Sequence, residues 1–127
     1  MGARVLLIED NRPSRELMSY LLNAFGHMTL EARDGVDGLE AIRRERPDLV
    51  LCDIDLPRLD GYALAGRVKA DPEIRHIPLV AVTALAMVGD RDRALRAGFD
   101  GYIAKPIEPE TFVPEIERFL SNHDGPM

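Results

Sequence analysis

Residues Val50 to Pro57 read VLCDIDLP. The run that leads into them, Leu49-Val50-Leu51-Cys52, is apolar at every position, as in a strand covered on both faces. It then breaks into two aspartates one residue apart, Asp53 and Asp55. Carboxylates are seldom buried without a partner, so the mouth of this strand must hold something that compensates them. Continuous apolar runs recur at Val5-Leu6-Leu7-Ile8 and Leu79-Val80-Ala81-Val82, and the first of these also ends in acids, Glu9 and Asp10. Strands of this kind belong in the interior of a parallel sheet. By contrast, Met28 to Arg33 alternates apolar with polar, and Gly101-Tyr102-Ile103-Ala104 is short, so these two read as edge strands.

Helical segments with legible ends separate the strands. Pro13 opens the first, where a missing N–H costs nothing; Leu17, Leu21, Leu22 and Phe25 share a face, and Gly26 closes it. The second spans roughly residues 36 to 45 and stops ahead of Pro47. Asp60 can cap the third, in which Leu64 and Val68 stack one turn apart before Pro72. The fourth, about Asp90 to Ala97 with Gly98 after it, carries a thin apolar stripe and is expected to be marginal. The fifth runs from about Pro109 to Leu120, with Pro114 predicting a late start or a kink. Five strands alternating with five helices specify an α/β fold, a doubly wound (βα)5 unit with a parallel five-stranded sheet. Right-handed crossovers and the two edge strands give the order 2-1-3-4-5. A single domain over 1–127 is expected, with a core of about 4–120 and a short polar tail, 121–127.

Composition narrows the chemistry. A net charge of −6 over 127 residues argues against direct nucleic-acid binding, because affinity for phosphate backbones comes from Lys and Arg. No apolar stretch has the length to span a bilayer, and no secretory leader is visible, so a cytoplasmic, membrane-free protein is expected. Cys52 is the lone cysteine, so neither an internal disulfide nor a cysteine zinc site is available; it reads as a small buried hydrophobe. His27, His76 and His123 lack ligand spacing.

In a sheet of this order, ligands sit beyond the carboxyl ends of the strands. Those ends supply Glu9 and Asp10, Asp53, Thr83 and Lys105. Three carboxylates in one place resist joint ionisation unless a cation joins them, and hard oxygen ligands suit Mg²⁺. If Asp53 attacks a phosphoryl group, the cation and Lys105 can neutralise its oxygens and the Thr83 hydroxyl can donate to one of them.

Taken together, Val5-Leu6-Leu7-Ile8-Glu9-Asp10, Asp53-Ile54-Asp55-Leu56-Pro57 with Asp60-Gly61, Val82-Thr83-Ala84 and Lys105-Pro106 resemble the receiver domains of two-component response regulators, a flavodoxin-like, CheY-like family. The likeness covers Arg4 to about Leu120. It implies that Asp53 is the phosphoacceptor, that Asp10 binds Mg²⁺ directly and Glu9 through water, and that the Asp55 backbone carbonyl is a further ligand. It also implies that Thr83 and Tyr102 are switch residues, that Lys105 contacts the phosphoryl group, and that Lys105-Pro106 is cis. Asp55 and Leu85 stand where the family tunes aspartyl-phosphate lifetime. The implied partners are a sensor histidine kinase or histidine phosphotransfer protein as donor and a downstream protein effector, with room for a phosphorylation-dependent dimer. Phosphorylation would switch the face formed by the fourth helix, fifth strand and fifth helix. The run from Val82 to Met87 resembles stand-alone and hybrid-kinase receivers. Arg12, Ser14, Arg15 and Pro106-Ile107 are candidate donor contacts.

Two other readings compete. Asp-x-Asp after an apolar strand also resembles the nucleophile motif of haloacid-dehalogenase phosphatases, with Asp55 as general acid and base. Here, however, the acidic pair precedes the nucleophile and no substrate-capping insertion is visible. An inert receiver-like binding module is disfavoured because no site residue is missing. As a phosphoacceptor, the chain would be no enzyme beyond its own phosphotransfer and dephosphorylation.

Overall fold

The computed structural model describes residues 2–84 and 88–124, the side chains of 121–124 excepted. Leu85, Ala86 and Met87, and with them one of the two lifetime positions and half of the run from Val82 to Met87, lie outside the described residues, as does the end of the tail. The elements are β1 (Arg4–Ile8), α1 (Arg12–Ala24), β2 (Met28–Ala32), α2 (Gly35–Glu45), β3 (Leu49–Cys52), α3 (Gly61–Ala70), β4 (Leu79–Thr83), α4 (Asp90–Ala97), β5 (Gly101–Ala104) and α5 (Pro109–Asp124). The five strands form a parallel sheet in the order β2-β1-β3-β4-β5. That is the topology expected from the apolar runs.

The unbroken runs serve two cores at once, because successive side chains of a strand point to opposite faces. Leu6, Ile8, Val50, Cys52, Leu79 and Ala81 face α2 and α3, meeting Leu39, Ile42, Leu64 and Val68. Val5, Leu7, Leu49, Leu51, Val80 and Val82 face the other way, onto Met18, Leu22, Phe112, Val113 and Ile116 of α1 and α5. Polar side chains within the runs Val5 to Ile8, Leu49 to Cys52 or Leu79 to Val82 would have no solvent to reach.

Helix ends follow side-chain chemistry. Asn11, Asp34 and Asp60 each sit in extended backbone and accept the N–H three residues on, from Ser14, Asp37 and Ala63. The buried face of α1 differs from the expected one: Arg15, Met18 and Leu22 are inside, whereas Leu17 is 36% and Phe25 58% exposed. Apolar residues lie on both sides of this helix, so periodicity alone misplaces the stripe. α5 also differs, starting at Pro109 and continuing through Pro114. Pro114 is exposed, so the carbonyl it leaves unpaired can be solvated, while burial of Phe112, Val113 and Ile116 holds the first turns in place. α4 is the thin helix expected: of its residues only Ala94 is buried, and its Gly89 cap offers no side-chain bond. His27, given no role from sequence, is a tie: its Nδ1 accepts the Ala3 N–H at 3.0 Å and its Nε2 meets Glu117 Oε2 at 2.9 Å.

Two glycines of α3 have opposite meanings. A Cβ on Gly61 would stand 2.6 Å from Ile54 Cα and 2.8 Å from the Asp53 carbonyl oxygen, whereas one on Gly66 would meet nothing within 4 Å. Alanine gains about 1 kcal/mol of helix propensity at either site. At Gly61 that gain is overwhelmed, because backbone cannot step aside and overpacking costs about 2–3 kcal/mol. Denaturant titration is expected to show Gly66→Ala stabilised and Gly61→Ala destabilised; equal effects would contradict this packing.

Candidate functional site

Sheet register brings the predicted side chains to one rim. Ile8 pairs with Cys52, Cys52 with Ala81 and Thr83 with Ala104, so the residues that follow emerge side by side. Backbone bonds extend the ladder one step past the strands: Glu9 N–H donates to the Ala32 carbonyl (3.0 Å), Asp53 N–H to Ile8 (2.9 Å) and Lys105 N–H to Thr83 (2.9 Å). The Lys105-Pro106 peptide is cis.

Glu9 is 1% and Asp53 7% exposed, Thr83 is fully buried, and Asp10 is exposed at the mouth. Glu9, Asp10 and Asp53 each offer a carboxylate oxygen within 4.8 Å of the others. Lys105 Nζ lies 2.7 Å from Glu9 Oε1 and 3.2 Å from Asp53 Oδ2. The second Glu9 oxygen accepts the Asn11 N–H (3.0 Å), and Asp53 Oδ1 accepts the Asp55 N–H (3.1 Å). The rim therefore carries three acids against one ammonium. Burial pushes the Glu9 carboxyl above its ordinary value and Asp53 adds repulsion, outweighing the Lys105 and Asn11 contacts that pull it down. For Lys105, burial works against the charge, but the Glu9 and Asp53 carboxylates prevail and raise its pKa.

This donor set fits a hard divalent cation. Glu9 Oε1 is buried and, although paired with Lys105 in charge, makes no aligned hydrogen bond, so acceptor capacity remains inside an all-oxygen cluster. Asp55 itself is exposed, and its backbone N–H donates to Asp53 Oδ1. Cys52 is the buried hydrophobe expected, its Sγ directed at the Asp53 carbonyl (3.2 Å). Burial, reinforced by Asp53, Glu9 and Asp60, raises its thiol pKa well above the ordinary value.

The other predicted positions lie on β4 and β5. Ala81 pairs with Tyr102, so Thr83, two residues on, shares the sheet face of Tyr102 on the neighbouring strand. Tyr102 packs half-buried against the core beneath α3 and α4. Desolvation raises its hydroxyl pKa, with Asp90 and Tyr62 adding to the effect. Beside it, the Arg93 guanidinium of α4 stacks 4.2 Å over the Tyr62 ring.

Two suggested donor contacts are not free surface. Arg15 is 6% exposed and Ile107 8%, the first bonded to the Glu9 carbonyl and the second part of the α1/α5 core. Sequence also gave no sign of the clamp on the loop after Asp53. There Arg58, at φ 69°, reaches back to Asp34 (2.9 Å) and ties that loop to the start of α2. Among the described residues, no helix is long and apolar enough to cross a membrane.

The chain is similar to known proteins in sequence and in fold. The response regulator receiver domain family model matches residues 5–117. The polar-differentiation response regulator DivK of Brucella anthropi is 40% identical over 122 residues, 96% of this chain and 99% of that protein. The receiver domain of sensor histidine kinase PA1611 from Pseudomonas aeruginosa PAO1, whose crystal structure has a magnesium ion coordinated in the active site cleft, superposes with a TM-score of 0.86. It is 32% identical, covering 94% of this chain and 98% of that one. The signal receiver domain of a signal transduction histidine kinase from Syntrophus aciditrophicus gives a TM-score of 0.87 at 31% identity, covering 95% and 92%.

Proposed function

Because this chain belongs to the response regulator receiver domain family, we propose that Asp53 is its phosphoacceptor, taking the phosphoryl group from a phosphohistidine in a Mg²⁺-dependent reaction. The observation that carries this reading is the buried Glu9–Asp53–Lys105 contact set beside the exposed Asp10. Glu9, Asp10 and Asp53 would hold the cation, with the Asp55 carbonyl as a further ligand. When bound, Mg²⁺ supplies positive charge against the phosphoryl oxygens. An Asp53 carboxylate oxygen attacks phosphorus and the histidine nitrogen leaves, forming an acyl phosphate. The Asp55 N–H fixes the carboxylate's orientation, and Lys105, held at the site by two acids, is placed to counter negative charge on the transferred group.

The domain extends over 1–127, with its core at about 4–120, and its only chemistry is its own phosphorylation and dephosphorylation. It acts in the cytoplasm, receiving phosphoryl groups from a histidine kinase or histidine phosphotransfer protein and signalling to a protein effector. Thr83 and Tyr102, on one face of adjacent strands, are the switch pair that re-poses α4. A helix with one buried residue and no side-chain cap needs little energy to shift. The α4–β5–α5 face is then what the effector reads, or a second copy of the chain in a phosphorylation-dependent dimer.

Incubation with acetyl phosphate and Mg²⁺, read by intact mass, is expected to add one phosphoryl group at Asp53, removable by hydroxylamine and suppressed by chelator. Multiple turnover of a generic phosphoester would point instead to a phosphatase, and no modification to an inert module. The exposed Asp55 carboxylate is expected to speed loss of the group by attracting and orienting water. Asp55→Asn should therefore lengthen the phosphorylated lifetime severalfold; an unchanged decay rate would remove Asp55 from that role.

A further inference from the structure

α1 buries three residues along one face, Arg15, Met18 and Leu22, and one of them is a guanidinium. An apolar side chain at 15 would fill the same space without the cost of taking a charge out of water. Arg15 instead makes two directed contacts. Its Nη1 donates to the Glu9 backbone carbonyl at 2.8 Å, and its Nε lies 3.3 Å from Glu31 Oε1 on the edge strand β2. The Glu9 carbonyl belongs to the peptide unit that joins Glu9 to Asp10. Glu9 N–H is itself fixed to the Ala32 carbonyl at 3.0 Å, and the Glu9 side chain to Asn11 and Lys105. Asp10, by contrast, is exposed and borders a cleft of about 490 Å³ shared with Arg12, Arg15 and Arg33. With the preceding peptide anchored, the backbone that carries the Asp10 side chain is held in place beside Glu9.

We infer that Arg15 is a positioning residue for the divalent-cation site: by gripping the Glu9–Asp10 peptide from α1, it aims the Asp10 carboxylate at Glu9 and Asp53. The inference rests on the cation-binding reading above. Charge alone predicts the opposite sign, since a cation beside the site repels a second one. Glu31 decides between them, because it neutralises the guanidinium locally and leaves the orienting bond as the net contribution. Outer contacts that orient ligands commonly alter metal affinity by about 10-fold to 100-fold.

Mg²⁺ titrations of the full chain by calorimetry, with thermal midpoints of the metal-free proteins measured alongside, test this. Arg15→Met is expected to weaken Mg²⁺ binding about tenfold, out of proportion to any change in midpoint, and Arg15→Lys, which keeps one donor, to recover part of the loss. Glu31→Gln, on an exposed position where folding is not at stake, is expected to weaken binding by a smaller factor. Wild-type affinity or tighter binding in Arg15→Met overturns the inference. Should that variant not fold, Arg15→Lys, which keeps the charge and loses the guanidinium geometry, decides: unchanged affinity overturns the inference and weakened affinity supports it. Failure of the wild type to bind Mg²⁺ overturns the cation-site reading and this inference with it.

Discussion

Asp53→Asn is expected to lose covalent phosphorylation altogether, its rate with acetyl phosphate and Mg²⁺ falling by at least about 1,000-fold. The substitution is nearly isosteric, so packing at this buried position survives. The side-chain oxygen can still accept the Asp55 N–H that Asp53 Oδ1 now accepts at 3.1 Å. What disappears is the nucleophilic carboxylate, and with it one of the two negative partners of Lys105, which stands 3.2 Å from Asp53 Oδ2. Lys105 keeps Glu9 at 2.7 Å, so the ammonium is not stranded and the fold should persist. Intact-mass spectra over a phosphorylation time course check the outcome, with circular dichroism as the control for folding. A phosphoryl group added to Asp53→Asn at the wild-type rate would place the acceptor elsewhere and end the assignment. The same variant gives the inactive arm of a pull-down against activated protein, which would identify the effector.

The acids were legible because they interrupt what is otherwise a buried pattern. Asp53 ends the run Leu49 to Cys52, Glu9 and Asp10 end the run Val5 to Ile8, and a parallel sheet brings such ends together. The strands were legible for the same reason, since four apolar residues in succession leave no solvent face. α1 was harder. The expected stripe of Leu17, Leu21, Leu22 and Phe25 shares Leu22 with the buried one of Arg15, Met18 and Leu22, and only the position of β1 and α5 selects the second. Arg15 was misread with it: a charge near a helix start is ordinarily solvated, and nothing local reveals that the Glu9 carbonyl and Glu31 wait to receive this one. The Arg58–Asp34 clamp spans 24 residues and depends on how two loops meet. Contacts of this kind follow from tertiary placement, which periodicity does not encode.

Glu9→Gln is expected to stabilise the metal-free protein while impairing the site, a separation that follows from the direction of one titration. The Glu9 carboxyl titrates above its ordinary value chiefly because it is buried, with Asp53 adding repulsion, so the folded protein favours its neutral form more than the unfolded chain does. An acid shifted upward contributes a penalty that is absent below the unfolded value of 4.5, grows as pH rises through the interval up to the folded pKa, and stays constant above it. Glutamine never ionises and escapes that penalty. Near neutral pH, Glu9→Gln should therefore gain about 1–2 kcal/mol in denaturant titrations without metal, and the gain should vanish as pH falls below 4.5. Lys105 does not reverse the sign: its attraction is already included in the net upward shift of Glu9, and Asp53 remains beside it. With Mg²⁺ the order inverts, because the neutral amide is a poor partner for a hard cation and affinity should fall by at least about tenfold. A pH-independent difference between the two proteins, or a Glu9→Gln variant less stable than wild type in chelator at neutral pH, would show that the three acids are not held together against their own repulsion.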